Sequence, residues 1–358
     1  MFVWSGRGWQ LVIGPRHRVE SEDIPEGVNT VLVGVEHMTE LSLEPTAAPR
    51  TAYALLRRTA RALASSAHGA IVDCQTDTIA TPTGVRRFVR SAADGVLDAL
   101  ELSWFSTYEA MRSPNWLDEF VRLLERELPE ALPVRYGLYE PPPYRLRELG
   151  REHLVNFLAQ ECANPSKLGF AVWYPQRPVL HVHLLLGAGP SRHGWRSHRI
   201  TIGVEAALLG QPGWATALQR IWRNIAHLTR TFYADVRTLR NQRPGGSNYR
   251  QELAADHHPV CSWFWAGIPR DGGIAVALGE PYLALWPEFE AAGERDRDIV
   301  FVAQSDWTTQ QNVFDGVGGV PEGLAMQASG YAPGSFGPNP NPVYPPIWPF
   351  GNTHSERS

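Results

Sequence analysis

"LSWFSTYEAMRSPNWLDEFVRLL" (102–124) falls without a gap on "ITIGVEAALLGQPGWATALQRIW" (200–222) when the chain is shifted from position 102 to position 200. Pro114 meets Pro212, Trp116 meets Trp214, Phe120 meets Leu218, Arg122 meets Arg220 and Leu123 meets Ile221. Each stretch begins with the alternation of a strand. Each passes through a proline suited to a first helical turn, then shows apolar residues at helical spacing. The following strands register at the same offset: Val134, Tyr136 and Leu138 meet Phe232, Ala234 and Val236. A strand-helix-strand unit occurring twice predicts an α+β protein and raises an internal duplication.

Working outward, residues 29–37 ("NTVLVGVEH") read as a strand rich in β-branched residues. Residues 49–67 read as a helix, with Tyr53, Leu56, Ala60 and Leu63 on one side and arginines on the other. A strand at 69–75, a shorter helix around 85–93, a strand at 99–106, a helix at 113–128 and a strand at 134–140 follow. The first 145 residues thus run strand, helix, strand, strand, helix, strand, which is the split βαβ order. A helix at 146–161 opens a second set, with strands near 169–174, 179–187 and 198–206, a helix at 212–229 and a strand at 231–239. Strands are also expected at 262–269 and 298–304, and Pro281 divides the segment 274–289. The expected organisation is two ferredoxin-like domains, 1–145 and 146–315. A Pro/Gly/Asn-rich tail at 316–358 follows, and its "GPNPNPVYPPIWPFG" reads as an arm docked by Tyr344, Trp348 and Phe350.

Composition narrows the function classes. The 358 residues are 43% hydrophobic and 20% charged, the balance of a globular protein, and the net charge is −4. Lys167 is the only lysine, and acidic residues are interspersed among the arginines, so no nucleic-acid partner is expected. The N-terminus lacks the pattern of a signal peptide, and no apolar run approaches the roughly 18 residues of a membrane helix. The expected location is cytoplasmic, without a membrane partner. Cys74, Cys162 and Cys261 are odd in number and far apart, which speaks against a disulfide framework and a cysteine zinc site. No nucleophile elbow, phosphate loop or dinucleotide fingerprint is present, and no cofactor is expected.

Strand alternation nominates one surface. In "VLHVHLLL" (179–186) the even residues Leu180, Val182, Leu184 and Leu186 are apolar, while His181 and His183 share the odd face. The neighbouring predicted strands place Arg199, Thr201 and Glu205, and then Tyr233, Asp235 and Arg237, on that same side. The helix-free face of a ferredoxin-like sheet is therefore expected to be polar, exposed and functional. Two histidines roughly 7 Å apart can share a zinc ion if a third ligand is near, and Glu205 and Asp235 are the candidates. The set His181, His183 and Asp235 is the metal alternative to a metal-free polar face. Trp263 and Trp265, in "CSWFWAGIP" (261–269), are further candidate interface anchors.

The order of elements from about 198 to 289, with the tryptophan-glycine strand "WFWAGIPRDGGIAVALGEPYLALWP", resembles the C-terminal part of bacterial immunity proteins that neutralise polymorphic toxins. The resemblance implies a cytoplasmic, non-catalytic inhibitor that binds a toxin domain. The partner-binding residues expected from the strand faces are His181, His183, Arg199, Glu205, Tyr233, Asp235, Arg237, Trp263 and Trp265. A metal-dependent hydrolase built on His181 and His183, and a structural or assembly subunit using the tail as its arm, are the alternative readings.

Overall fold

The computed structural model describes residues 2–6, 9–19, 34–44, 49–73, 78–81, 84–87, 97–107, 111, 115–138, 142–162, 169–186, 189–191, 194–245, 248–251, 265, 267–309 and 311–326. It is a mixed α and β protein in two compact units, residues 1–95 and 96–358. The division falls after Gly95, and the sequence expectation was a boundary near 145.

In the first unit β1 (Phe2–Gly6), β2 (Trp9–Arg18) and β3 (His37–Glu44) form an antiparallel sheet in chain order. The α1 helix (Arg50–Ser66) buries Ala52 against Leu11 and Leu43, with Tyr53, Leu55 and Leu56 packed around them. It ends where His68 turns left-handed (φ 51°) and the Gly69 N–H reaches the Ala64 carbonyl at 2.8 Å. A second small sheet joins β4 (Ile71–Asp73), β5 (Thr78–Thr81) and β6 (Gly84–Arg87). Residues 84–87 are thus a strand where a helix was predicted. The predicted strand at 29–37 lies mostly outside the described residues, and strand structure begins at its last residue, His37.

The second unit is organised by one large antiparallel sheet. Its elements in chain order are β7 (Leu97–Ser106), α2 (Asn115–Glu127), β8 (Arg135–Gly137), β9 (Tyr144–Arg145) and α3 (Leu146–Cys162). Next come β10 (Gly169–Tyr174), β11 (Val179–Leu186), the hairpin β12 (Gly189–Ser191) and β13 (Gly194–Arg196), β14 (His198–Glu205) and α4 (Trp214–Leu228). The last are β15 (Tyr233–Gly245), β16 (Asn248–Gln251), β17 (Ala275–Gly279), α5 (Tyr282–Leu285), α6 (Pro287–Ala292), β18 (Glu294–Asp296) and β19 (Ile299–Ala303). The strand order is β18-β19-β17-β15-β7-β14-β11-β10-β8-β9, with β16 paired to β15.

Within that order lies β15-β7-β14-β11. Taken as first, second, third and fourth along the chain, β7, β11, β14 and β15 stand 4-1-3-2, with α2 leading away from β7 and α4 joining β14 to β15. That is one split βαβ arrangement. The first strand and the helix of each repeated segment, β7 with α2 and β14 with α4, belong to it, and β7 and β14 are direct neighbours, with Leu102 opposite Ile202, while β8, the last strand of the first repeat, lies outside it. Among the described residues the strands of the two expected ferredoxin-like domains do not form two separate sheets. The segment between α2 and β11 adds β10, β8 and β9 beyond one edge, and β17, β19 and β18 extend the other.

The even face of this sheet carries Leu102, Trp104, Val182, Leu184, Ile200, Ile202, Ala234 and Val236, all buried under α2, α3 and α4. Trp116, Phe120 and Leu124 of α2 and Leu218, Ile221 and Ile225 of α4 supply the other side, each contributing about 2 kcal/mol when fully buried. The indole N–H of Trp104 donates to the Trp222 carbonyl at 2.9 Å, so the largest side chain of β7 is also tied to α4. Gly150 (φ 76°) breaks α3 near its start. Among the described residues no helix is long and apolar enough to cross a membrane.

Candidate functional site

Register fixes which side chains share the other face. One row crosses four strands as His181, Gly203, Glu101 and Arg237. The next runs His183, Thr201, Ser103 and Asp235, and a third runs Leu185, Arg199, Phe105 and Tyr233. The strands therefore do bring His181, His183, Arg199, Thr201, Tyr233, Asp235 and Arg237 to one face.

Gly203 is required there. A Cβ at that position would lie 2.3 Å from the His181 ring, which crosses the bare backbone toward the next strand. His181 Nε2 reaches Glu101 Oε2 at 3.6 Å, and its ring stacks on His183 with centroids 4.6 Å apart. Glu101 accepts a hydrogen bond from Arg237 Nη2 at 3.3 Å, and Arg237 Nε lies 3.7 Å from Asp235 Oδ2. The Tyr233 hydroxyl donates to that same Asp235 oxygen at 3.2 Å. The result is a chain of charges and donors running His181, Glu101, Arg237, Asp235, Tyr233. Glu101 is a member that parity on 99–106 would have nominated but that the sequence reading passed over. Burial, and next the Asp235 carboxylate, hold the Tyr233 phenol well above its ordinary pKa, so it stays a neutral donor.

This face is not an open surface. Asp235 and Tyr233 are 0% exposed, Thr201 1%, His181 4% and Glu101 5%. Over its β15 and β17 side lies a second core of Trp265, Ile268, Tyr282, Trp286, Phe289 and Phe314, packed on Phe105, Tyr233, Val276 and Leu278. Trp265 belongs to that core. Its ring centroid is 4.9 Å from Phe232 and 5.1 Å from Phe105, and its indole N–H donates to the Tyr282 hydroxyl at 2.7 Å. It is a packing residue and not an exposed anchor. Trp263 lies outside the described residues, as do Cys74, Cys261 and the tail from 327 onward. The Ser103 and Thr201 hydroxyls, opposite each other in the middle row, are buried and have no hydrogen-bond partner among the described residues.

The metal set is not assembled. Asp235 stands three strand spacings from His183 in the same row, about 14 Å between Cα atoms at ~4.8 Å per strand. Glu205 sits at the far end of β14 and receives Arg177 Nη1 at 2.5 Å. No group of three metal-binding side chains occurs among the described residues. The Cys162 thiol is pushed up to about 12, first by burial and then by Glu161, and is no nucleophile at neutral pH.

Exposure on a large apolar scale occurs elsewhere. Trp4 is 64% exposed on β1, opposite Leu11 and on the same face as the small core of the first unit. Val3, on the other face of β1, is 48% exposed. The sequence signal was present in "MFVWSG", but the strand there was not predicted.

No family model matches the chain, and no curated protein matches it. The solved structure of Pseudomonas aeruginosa T6SS protein PA0821 overlaps 75% of this chain and 82% of its own, with 12% identity and a TM-score of 0.43. A likeness that loose establishes no common fold.

Proposed function

We propose that this chain is a non-catalytic cytoplasmic binding protein, an immunity-type inhibitor that neutralises a toxin domain by direct protein contact. The observation that carries the reading is β1. Among the described residues this strand is paired on one side alone, by β2, and it exposes Trp4 and Val3. A strand edge offers a row of backbone donors and acceptors to an incoming strand, and proteins ordinarily blunt such edges with charge or proline. Phe2–Gly6 contains neither. A tryptophan standing out from such an edge has the chemistry of a binding hot spot. The polar sheet face, buried within the second unit, is not the contact surface in this reading.

The test mixes the purified chain with the toxin domain encoded beside its gene and follows complex formation by calorimetry and rescue of host growth. A one-to-one complex is expected. Trp4→Ala should weaken it by about 2 kcal/mol, roughly thirtyfold, while shifting the melting temperature little. Absence of a complex with the wild-type chain, or a complex indifferent to Trp4→Ala, refutes the reading at its first or second step respectively.

A further inference from the structure

The arginines of the two units are used differently. In the second unit many of them are paired. Arg122 meets Asp118 at 2.9 Å, Arg126 and Arg220 both meet Glu127, Arg151 meets Glu125 at 3.3 Å, and Arg223 meets Glu294. In α1, Arg50, Arg57, Arg58 and Arg61 are all exposed, and none has an ion pair or hydrogen bond among the described residues. The helix contains no acidic residue. Arg50 sits in its first turn, where the helix dipole disfavours a cation, and Arg57 and Arg61 are like charges one turn apart. Both features oppose folding slightly, and both would be relieved by an anion lying along the helix.

The spacing says what kind of anion. Arg50, Ala54, Arg57 and Arg61 follow i, i+4, i+7, i+11, the 3.5-residue track along which two helices lie side by side. The track is about 16 Å long at 1.5 Å per residue, and Ala54 removes bulk at its one uncharged position. Ala52, with Leu55 and Leu56 on either side of it, holds the opposite side of α1 against the first unit's sheet, so the track faces away from it. Outside α1 the charge balance reverses. The first 95 residues carry ten arginines and ten acidic residues, without the broad positive field that nucleic-acid binding calls for. We infer that the Arg50–Arg57–Arg61 face of α1 docks an acidic helix of a protein partner, with Arg58 at its flank. This rests on the reading of the chain as a binding protein and adds the chemistry of what it binds.

The experiment uses the full chain and three labelled probes followed by fluorescence anisotropy. These are a helical peptide with glutamates at i, i+4, i+7 and i+11, a peptide of the same composition in scrambled order, and a short DNA duplex. The patterned peptide should bind most tightly and should weaken as salt is raised. Replacing Arg57 and Arg61 together by Glu should weaken it at least about tenfold. The Arg57→Gln, Arg61→Gln pair keeps good helix formers and guards against loss of fold, and should weaken binding in the same direction. Equal binding of the scrambled peptide, or indifference to both pairs of substitutions, overturns the inference. Tighter binding of the duplex through the same arginines overturns it in favour of a phosphate-binding face. The two readings fail separately. The inhibitor reading fails if the wild-type chain ignores its toxin, and the α1 inference fails if the Gln pair leaves peptide and toxin binding unchanged.

Discussion

The two faces of the large sheet are both buried, but they are built on opposite terms. The helix-covered face is a continuous apolar layer from Val182 and Leu184 across Ile202 and Leu102 to Val236. The other face is divided. The row of Phe105 and Tyr233 is aromatic and lies under Trp265, and the next two rows along the same strands are ionic, with Glu101, Arg237 and Asp235 linked to His181. An apolar face is stabilised by exclusion of water and tolerates modest reshaping. A buried ionic face depends on every partner being present, because removing one leaves another charged in a medium that solvates it poorly.

Substitutions can break this contrast in a definite order. The largest loss is expected from Leu184→Asp, which puts an unpaired carboxylate into the helix-covered core where Leu184 is 0% exposed. The variant should be unfolded at room temperature by circular dichroism, and a cooperative melt near the wild-type temperature would contradict the assignment of that face. Next comes Asp235→Ala. It strips Tyr233 of its acceptor and Arg237 of a neighbouring carboxylate, and should cost about 3 kcal/mol in urea denaturation. A loss under about 1 kcal/mol, the scale of exposed pairs, would mean that the ionic face is solvated and the contrast between faces is false.

A smaller, pH-dependent effect sharpens the comparison from within the apolar face. His198 lies on β14 with the parity of Ile200 and Ile202, is 1% exposed, and is pushed down by burial from the ordinary 6.5 to about 4. The folded pKa lies below the unfolded one, so the unfolded chain takes up the proton first. Stability present at neutral pH is therefore lost as pH falls from about 6.5 toward 4, by at most about 1.4 kcal/mol per pH unit from this group. His198→Asn should flatten that part of the stability profile, and an unchanged slope would show that His198 does not carry it. Trp4→Ala should change stability least of all, since a side chain 64% exposed has little folding contact to lose.

The long helices were legible because helical periodicity is local. Residues 49–67, 113–128 and 212–229 were predicted as helices, and α1, α2 and α4 occupy Arg50–Ser66, Asn115–Glu127 and Trp214–Leu228. The hairpin of β1 and β2 was missed because its strands mix aromatic, glycine and charged residues without clean alternation. The residues of the polar face were likewise legible one strand at a time, since alternation alone sends His181 and His183 to one side and Leu184 to the other. Glu101 obeys the same alternation, but its importance follows from its place between His181 and Arg237.

The sequence by itself determined the α+β class, the strand-helix-strand unit at 102–138 and its recurrence at 200–236, and which side chains of each strand stand together. These follow from backbone geometry repeated every two or 3.6 residues. Only the tertiary structure decided that the two repeats share one sheet with β7 beside β14, because any two antiparallel strands with an apolar face can pair, and the choice of neighbour is made by contacts distant in sequence. Only the tertiary structure decided that the polar face is interior, because its aromatic side is covered by Trp265, Tyr282 and Phe314, more than a hundred residues along the chain from Phe105. Alternation states which way a side chain points. Whether water or protein meets it there is settled by where the rest of the chain comes to lie.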